Sequence, residues 1–360
     1  MSPALAGLVR EADVLLCAGT GGVGKTTTAA ALGVAAARAG RSAVVVTIDP
    51  ARRLADALGL EALTNQPTPV AGEWPGQLSA MMLDARQTFD DLVARYAEDD
   101  RQATSILENR LYQNLSSRLS GTQEYMAVEK LFELHETGRY DLIVVDTPPT
   151  RNALDFLDAP ERLARFLDGR LVRLLFPSSV RRIVNASLQI VLRRAATVVG
   201  REVVDDTIAF LRAFQGMEDG FRDRARHVRA LLADPGTGVL LVTAPRADLV
   251  DETGYFAERV TTSGLTVEGL IVNRTNPSFG AGPAHRLTAL ARRYAGRPIE
   301  PFLEVLAEAE ALAEAEEAAC DPIVEAIAPA PVVRIPLLGE DVHDLAGVEA
   351  IAAYLTGAAR

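Results

Sequence analysis

Gly19-Thr20-Gly21-Gly22-Val23-Gly24-Lys25-Thr26 fits the pattern G-x-x-x-x-G-K-[ST], the signature of a loop that cradles phosphate. Each residue type has a physical reason to stand where it does. Glycines let successive backbone N–H groups converge on phosphate oxygens. A helix that follows aims its N-terminal dipole at the same anion. Lys25 brings a compact ammonium to the outer phosphates, where a forked guanidinium fits less well. The Thr26 hydroxyl is placed to ligate Mg²⁺. Only Lys25 and Lys130 among the 37 basic residues are lysines. A chain that uses arginine almost everywhere, as a GC-rich genome favours, still keeps an ammonium at position 25.

Working outward, the apolar run Val14–Ala18 precedes the loop and the Ala-rich pattern Thr26–Ala39 follows it, closed by Gly40. Further apolar runs recur at Ala43–Ile48, Leu78–Leu83, Leu142–Val145, Val239–Thr243, Val267–Val272 and Val332–Ile335. Most are continuous rather than alternating, as in strands buried on both faces of a parallel sheet. With helical patterns between them, they predict a doubly wound α/β fold. Residues at about 85–138 and 160–233 read as helical insertions on the sheet, so 1–360 is expected to be a single domain carrying a helical subdomain. Glu61–Gly76, with Pro67, Pro69 and Pro75, reads as a surface loop, and Ala307–Ala319, with five glutamates, as a solvated acidic helix.

Composition excludes several classes. The 360 residues are 48% hydrophobic and 24% charged, an ordinary globular balance. The longest uncharged run, Thr26–Ala37, is too short to span a bilayer. Met1–Asp13 carries Arg10 and Glu11 and lacks the apolar stretch of a signal peptide. Cys17 and Cys320 give neither a disulfide framework nor a Cys-x-x-Cys pair, which predicts a cytoplasmic location. A net charge of −11 argues against nucleic acid as a partner.

Two strand ends carry acids. Leu142-Ile143-Val144-Val145-Asp146 places Asp146 at the carboxyl end of a buried strand, where an acid beside the phosphate loop holds Mg²⁺ through water. The competing reading is a helix N-cap before Thr147-Pro148-Pro149; the phosphate loop in the same chain favours the metal role. In Thr47-Ile48-Asp49-Pro50-Ala51, Asp49 either orients an attacking water or caps a helix that starts at Pro50, and spacing leaves both open.

Gly-Thr-Gly-Gly-Val-Gly-Lys-Thr, Thr-Ile-Asp-Pro-Ala and Val-Val-Asp-Thr-Pro-Pro-Thr, in that order, resemble the deviant-Walker P-loop ATPases of the arsenite-pump (ArsA) and Get-type group. Gly121-Thr122-Gln123-Glu124, Ile271-Val272-Asn273 and Ile335-Pro336-Leu337-Leu338 extend the resemblance over most of the chain. The resemblance implies Mg-dependent hydrolysis of ATP to ADP at a dimer interface, coupled to a protein or hydrophobic cargo. It implies that Gly21, Gly22, Val23, Gly24, Lys25, Thr26 and Thr27 bind phosphates and that Asp49 polarises water. It also implies that Asp146 is the Walker B acid, that Thr147–Thr150 form a switch, and that Asn273 with Pro336, Leu337 and Leu338 frames adenine.

Three departures sharpen the expectation. The signature lysine of the group, which reaches the partner's nucleotide, is Thr20 here. Either Arg52, Arg53 or Arg151 replaces it in a homodimer, or a lysine-bearing paralogue supplies it in a heterodimer with a weakly hydrolysing chain. The zinc-binding Cys-x-x-Cys of eukaryotic members is missing, and His135, His227, His285 and His343 are not at ligand spacing, so no zinc is expected. Cys17 and Cys320 cannot form a thiolate trio for arsenite. Cargo of the hydrophobic-helix or membrane-protein kind would meet Leu171–Gly200, where apolar Leu171–Phe176 and Ile183–Leu192 are punctuated by Arg181, Arg182, Arg193 and Arg194. The same stretch also reads as a core-facing helix with snorkelling arginines. Two further classes are open: a small-molecule kinase or ligase, for which the sequence shows no separate acceptor-substrate motif, and a positioning ATPase acting on DNA or membrane. The acidic charge and a last helix, Leu345–Arg360, with one basic residue disfavour it and stable membrane insertion alike.

Overall fold

The computed structural model describes residues 4–49, 51–110, 112–113, 122–148, 206, 209 and 217–358. Arg151, the second half of the expected Thr147–Thr150 switch and the Leu171–Gly200 stretch lie outside the described residues. The chain divides into two compact units, Met1–Met82 with Thr137–Leu154 and Pro235–Arg360, and Leu83–Glu136 with Asp155–Asp234.

The first unit is built on an eight-stranded sheet in the order β3-β4-β2-β5-β1-β6-β7-β8. Its strands are β1 Val14–Gly19, β2 Ser42–Thr47, β3 Thr68–Pro69, β4 Gln77–Met82, β5 Leu142–Asp146, β6 Thr237–Thr243, β7 Val267–Thr275 and β8 Val332–Pro336. All pairings are parallel except β3 with β4. The apolar runs therefore lie where the sequence places them, to within a few residues. The two-residue edge strand β3 falls inside the proline-rich stretch expected to be loop; a proline is tolerated there because an edge need not donate on both sides.

The central strands are continuous in burial because helices cover both faces. On one face α2, Lys25–Arg38, packs against β1, β2, β4 and β5, and its alanines let it lie close. The last helix, Leu345–Thr356, packs on α2 and β8 through Val348, Ile351, Ala352 and Leu355. On β6 and β7 lies the helix Ala247–Thr262, itself packed on the long helix Glu300–Ala326.

That long helix corrects one expectation. Its glutamate face is solvated only in part: Glu308, Glu314 and Glu317 are exposed, Glu316 is half-buried and Glu310 is buried. Glu310, 5% exposed, accepts from Ser278 Oγ at 2.8 Å and from the N–H groups of Phe279 and Ala281 at 2.9 and 3.3 Å. Glu314 accepts from Ala284 N at 3.0 Å, and Glu316 from Asn276 N at 2.7 Å. Three carboxylates thus fasten the segment after β7. These contacts hold the Glu310 carboxyl below its ordinary range, the Ser278 hydroxyl foremost.

In the second unit the described residues are helical: Ala85–Tyr96, Asp100–Leu107, Thr122–Glu136 and Glu218–Leu232. Asp84 and Asp99 cap the first two by accepting from Gln87 and Gln102 N–H. Leu92, Val93, Ile106, Tyr112, Tyr125, Met126 and Met217 form an apolar cluster. Beside it Arg224, 5% exposed, donates to Glu129 at 2.6 Å and to Glu136, and its guanidinium lies 4.1 Å from the Phe132 ring centroid. His227 stacks on the same ring, while His135, His285 and His343 are exposed.

Candidate functional site

The sheet order brings the carboxyl ends of β2, β5 and β1 side by side, with Thr47 opposite Asp146 and Asp146 opposite Cys17. The chain leaves β1 at Gly19, where a Cβ would collide with the Val242 carbonyl of β6. It then winds through the glycines to Gly24, left-handed at φ 97°, and enters α2 at Lys25 with no side-chain cap and no acid in its first turn. The free N–H groups of that turn are left for an anion. Gly24 is required twice: its φ favours glycine, and a Cβ there would strike the Asn273 amide.

The functional side chains converge on this turn. Asp146 Oδ2 accepts from Thr26 Oγ1 at 2.7 Å and from Thr47 Oγ1 at 2.9 Å, and the residue is 2% exposed. Burial raises the Asp146 carboxyl above its ordinary range; the two hydroxyls and the Lys25 charge work against that. Burial lowers the Lys25 ammonium, opposed by Asp146 and then Asp49. Lys25 Nζ donates to the Thr20 carbonyl at 2.8 Å. A carboxylate wanting positive charge and an ammonium wanting negative charge share one cavity of 430 Å³. Gly21, Gly22, Gly24, Lys25, Thr26, Thr27, Asp49, Asp146 and Thr147 help to line it. That donor set fits Mg²⁺ held by Thr26 and, through water, by Asp146, with phosphate completing the shell. Among the described residues no group of three His, Cys, Asp or Glu is placed to hold a metal ion by itself.

Asp49 lines the cavity and also braces its own turn. Its Oδ1 accepts from Ala51 N at 2.9 Å, and Arg53 Nη1 lies 3.4 Å from its Oδ2. The helix expected to start at Pro50 begins at Arg53 with Arg52 at its N-cap, so Asp49 braces the preceding turn rather than capping that helix. Thr147 Oγ1 donates to the Cys17 carbonyl at 2.8 Å, tying the start of the switch to β1. Thr20 is 1% exposed, and its hydroxyl has no hydrogen-bond partner among the described residues. At the position of the absent signature lysine, the side chain is turned into the protein.

A second cavity of 320 Å³ adjoins the loop and is lined by Asn273, Pro336, Leu337 and Leu338 together with Gly24 and Thr27. Asn273 Nδ2 donates to the Val23 carbonyl at 2.8 Å, which joins β7 to the phosphate loop. Its neighbour Arg274 lines both cavities, and sequence reasoning missed it. The only signal in the sequence was its place directly after Asn273.

Residues 12–286 match the model of a family described as anion-transporting ATPase. The ATPase get3 of Aspergillus terreus is 32% identical over 170 residues, 46% of this chain and 49% of the fungal one. The ATPase GET3 of Malassezia globosa is 31% identical over 153 residues, 42% of this chain and 44% of its own. An uncharacterized protein of Streptomyces coelicolor is 33% identical over 269 residues, 73% of this chain and 62% of its own. The chain thus spans about half the length of the fungal relatives it matches and less than two thirds of the bacterial one.

Proposed function

The chain belongs to the anion-transporting ATPase family, and from that premise we propose that it is a Mg-dependent ATP hydrolase acting as a nucleotide switch. The observation that carries the reading is Asp146 Oδ2 shared between the Thr26 and Thr47 hydroxyls, in the cavity that Lys25 also lines. In this reading the loop amides and Lys25 bind and orient the outer phosphates of ATP. Lys25 exchanges the Thr20 carbonyl for a phosphate oxygen and so recovers the charge balance that burial denies it. Magnesium held by Thr26 and the hydration shell of Asp146 would draw charge from the terminal phosphate. Asp49 orients the attacking water, once Arg53 releases its Oδ2. Asn273, Pro336, Leu337 and Leu338 enclose the base.

The finer parts of the proposal are a dimer interface for hydrolysis, a cytoplasmic setting and a protein or hydrophobic cargo. Among the described residues no helix is long and apolar enough to cross a membrane. One observation favours a specific variant of the dimer. With Thr20 buried, this chain has no side chain at that position to offer a partner's nucleotide. A heterodimer with a lysine-bearing paralogue accommodates that. Turnover of purified chain with Mg-ATP, beside Lys25→Ala, tests the core of the reading. Loss of turnover in the variant is expected, and unchanged turnover overturns it. Native mass spectrometry in Mg-ATP separates two identical chains from a mixed pair.

A further inference from the structure

We propose that Arg274 is a nucleotide-binding residue of this chain, its guanidinium meeting the phosphates nearest the ribose. The inference rests on the nucleotide reading above and goes beyond it. Three observations carry it. First, Arg274 stands at the junction of the two cavities: with Gly24 and Val342 it lines both the phosphate cavity and the one bounded by Asn273 and Pro336–Leu338. A ligand that fills both must pass it. Second, the backbone is bent to aim it there. The register of β7 against β8 shifts between Asn273 and Thr275, and Arg274 has φ 61°. It is the one non-glycine with positive φ among the described residues. Bulges next to sites re-aim side chains, and a left-handed arginine persists only when its surroundings hold it. Here Asn273 Oδ1 accepts from Arg274 N at 3.0 Å, and Thr275 O accepts from Leu337 N at 2.8 Å. Third, the side chain is exposed and lightly held. Arg274 Nη1 reaches the Gly22 carbonyl only at 3.4 Å, which leaves the guanidinium able to move to a phosphate oxygen.

The chemistry supports the same assignment. Thr20 has no charge and is buried, Arg53 lies 3.4 Å from Asp49, and Lys25 faces the outer phosphates from the start of α2. Arg274 is the cation that lines both cavities. A planar guanidinium gives two parallel donors to a phosphate.

The test is equilibrium binding of ADP and ATP with Mg²⁺ to the full chain, wild type against Arg274→Ala, Arg274→Gly and Arg274→Lys, with Lys25→Ala as reference. Loss of one charge-assisted contact should weaken both nucleotides about 10- to 100-fold in Arg274→Ala, with Arg274→Lys between. The salt dependence of affinity should be shallower in Arg274→Ala. Arg274→Gly keeps the proposal falsifiable, because glycine suits φ 61° and cannot lose binding through backbone strain. Weakening by Arg274→Gly as large as by Arg274→Ala is the expected result. Wild-type affinity in Arg274→Gly overturns the proposal, leaving the arginine as the residue of a bulge. If Arg274 variants bind as wild type while Lys25→Ala does not, this proposal alone fails. If the wild-type chain binds neither nucleotide, the nucleotide reading fails and this proposal with it.

Discussion

The two lysines of this chain sit one in each compact unit, and both are buried, Lys25 at 8% exposure and Lys130 at 1%. Their surroundings differ in kind. Lys130 is answered by its own helix, with Glu133 at 3.2 Å. Lys25 donates to a main-chain carbonyl, and Asp146, the opposite charge that acts on it most, accepts from two hydroxyls. The helical unit pairs its buried ammonium with a carboxylate of the same helix; at the phosphate loop, Lys25 and Asp146 face a cavity. Burial of this second kind costs stability without internal return, which is how a binding site differs from a structural ion pair.

Substitutions can break that comparison, and the largest effect belongs to the helical unit. Arg224 joins Glu129 and Glu136, and Arg224→Ala strands the Glu129 carboxylate at 1% exposure. The expected loss is about 3–5 kcal/mol, because an unpaired buried charge remains. Denaturant unfolding with hydrogen exchange on Thr122–Glu136 and Glu218–Leu232 reads it. A loss below about 1 kcal/mol would place the pair among exposed ones and erase the contrast.

The next effect lies in the sheet unit, where the constraint is backbone geometry rather than charge. Gly24→Ala puts a Cβ against Asn273 at φ 97°. The expected destabilisation is about 2–4 kcal/mol, from the left-handed backbone and the overpacking together. Nucleotide affinity should fall in the same variant, since the loop and Asn273 move apart. A thermal melt and a binding isotherm check both, and a variant with unchanged melt would mean that the loop yields at no cost.

How much of this was legible in the sequence follows from the range of each interaction. Buried strands announce themselves as apolar runs, so the runs ending at Ala18, Ile48, Val145 and Thr243 stop within one residue of the strand ends Gly19, Thr47, Asp146 and Thr243. The phosphate loop was legible because its glycines, Lys25 and Thr26 act within one turn. The roles of Glu310, Glu314 and Glu316 were missed because their partners lie 29 to 40 positions away, at Asn276, Ser278, Phe279, Ala281 and Ala284. Helical periodicity carries no trace of such pairs. Arg274 escaped for a related reason: nothing in the letter Arg marks a left-handed backbone, which the shifted register of β7 on β8 imposes.

The smallest expected effect refines the contrast through pH. Glu129 and Arg224 both move up, for different reasons: burial raises the Glu129 carboxyl despite the nearby guanidinium, whereas at Arg224 burial works downward and the carboxylates outweigh it. A carboxyl whose folded pKa exceeds its unfolded value, about 4.3, binds its proton more tightly when folded. Its stabilising contribution is therefore complete below that unfolded value and is lost as pH rises through the raised folded one. Glu129→Gln cannot titrate, so wild type should lose stability relative to the variant as pH rises from the unfolded value through the raised folded one. Urea midpoints of the two proteins across the window measure it. If wild type instead gains on the variant as pH rises, the attraction of Arg224 outweighs burial at Glu129. The helical unit would then close its charges at a net profit, and the contrast with Lys25 and Asp146 would be sharper still.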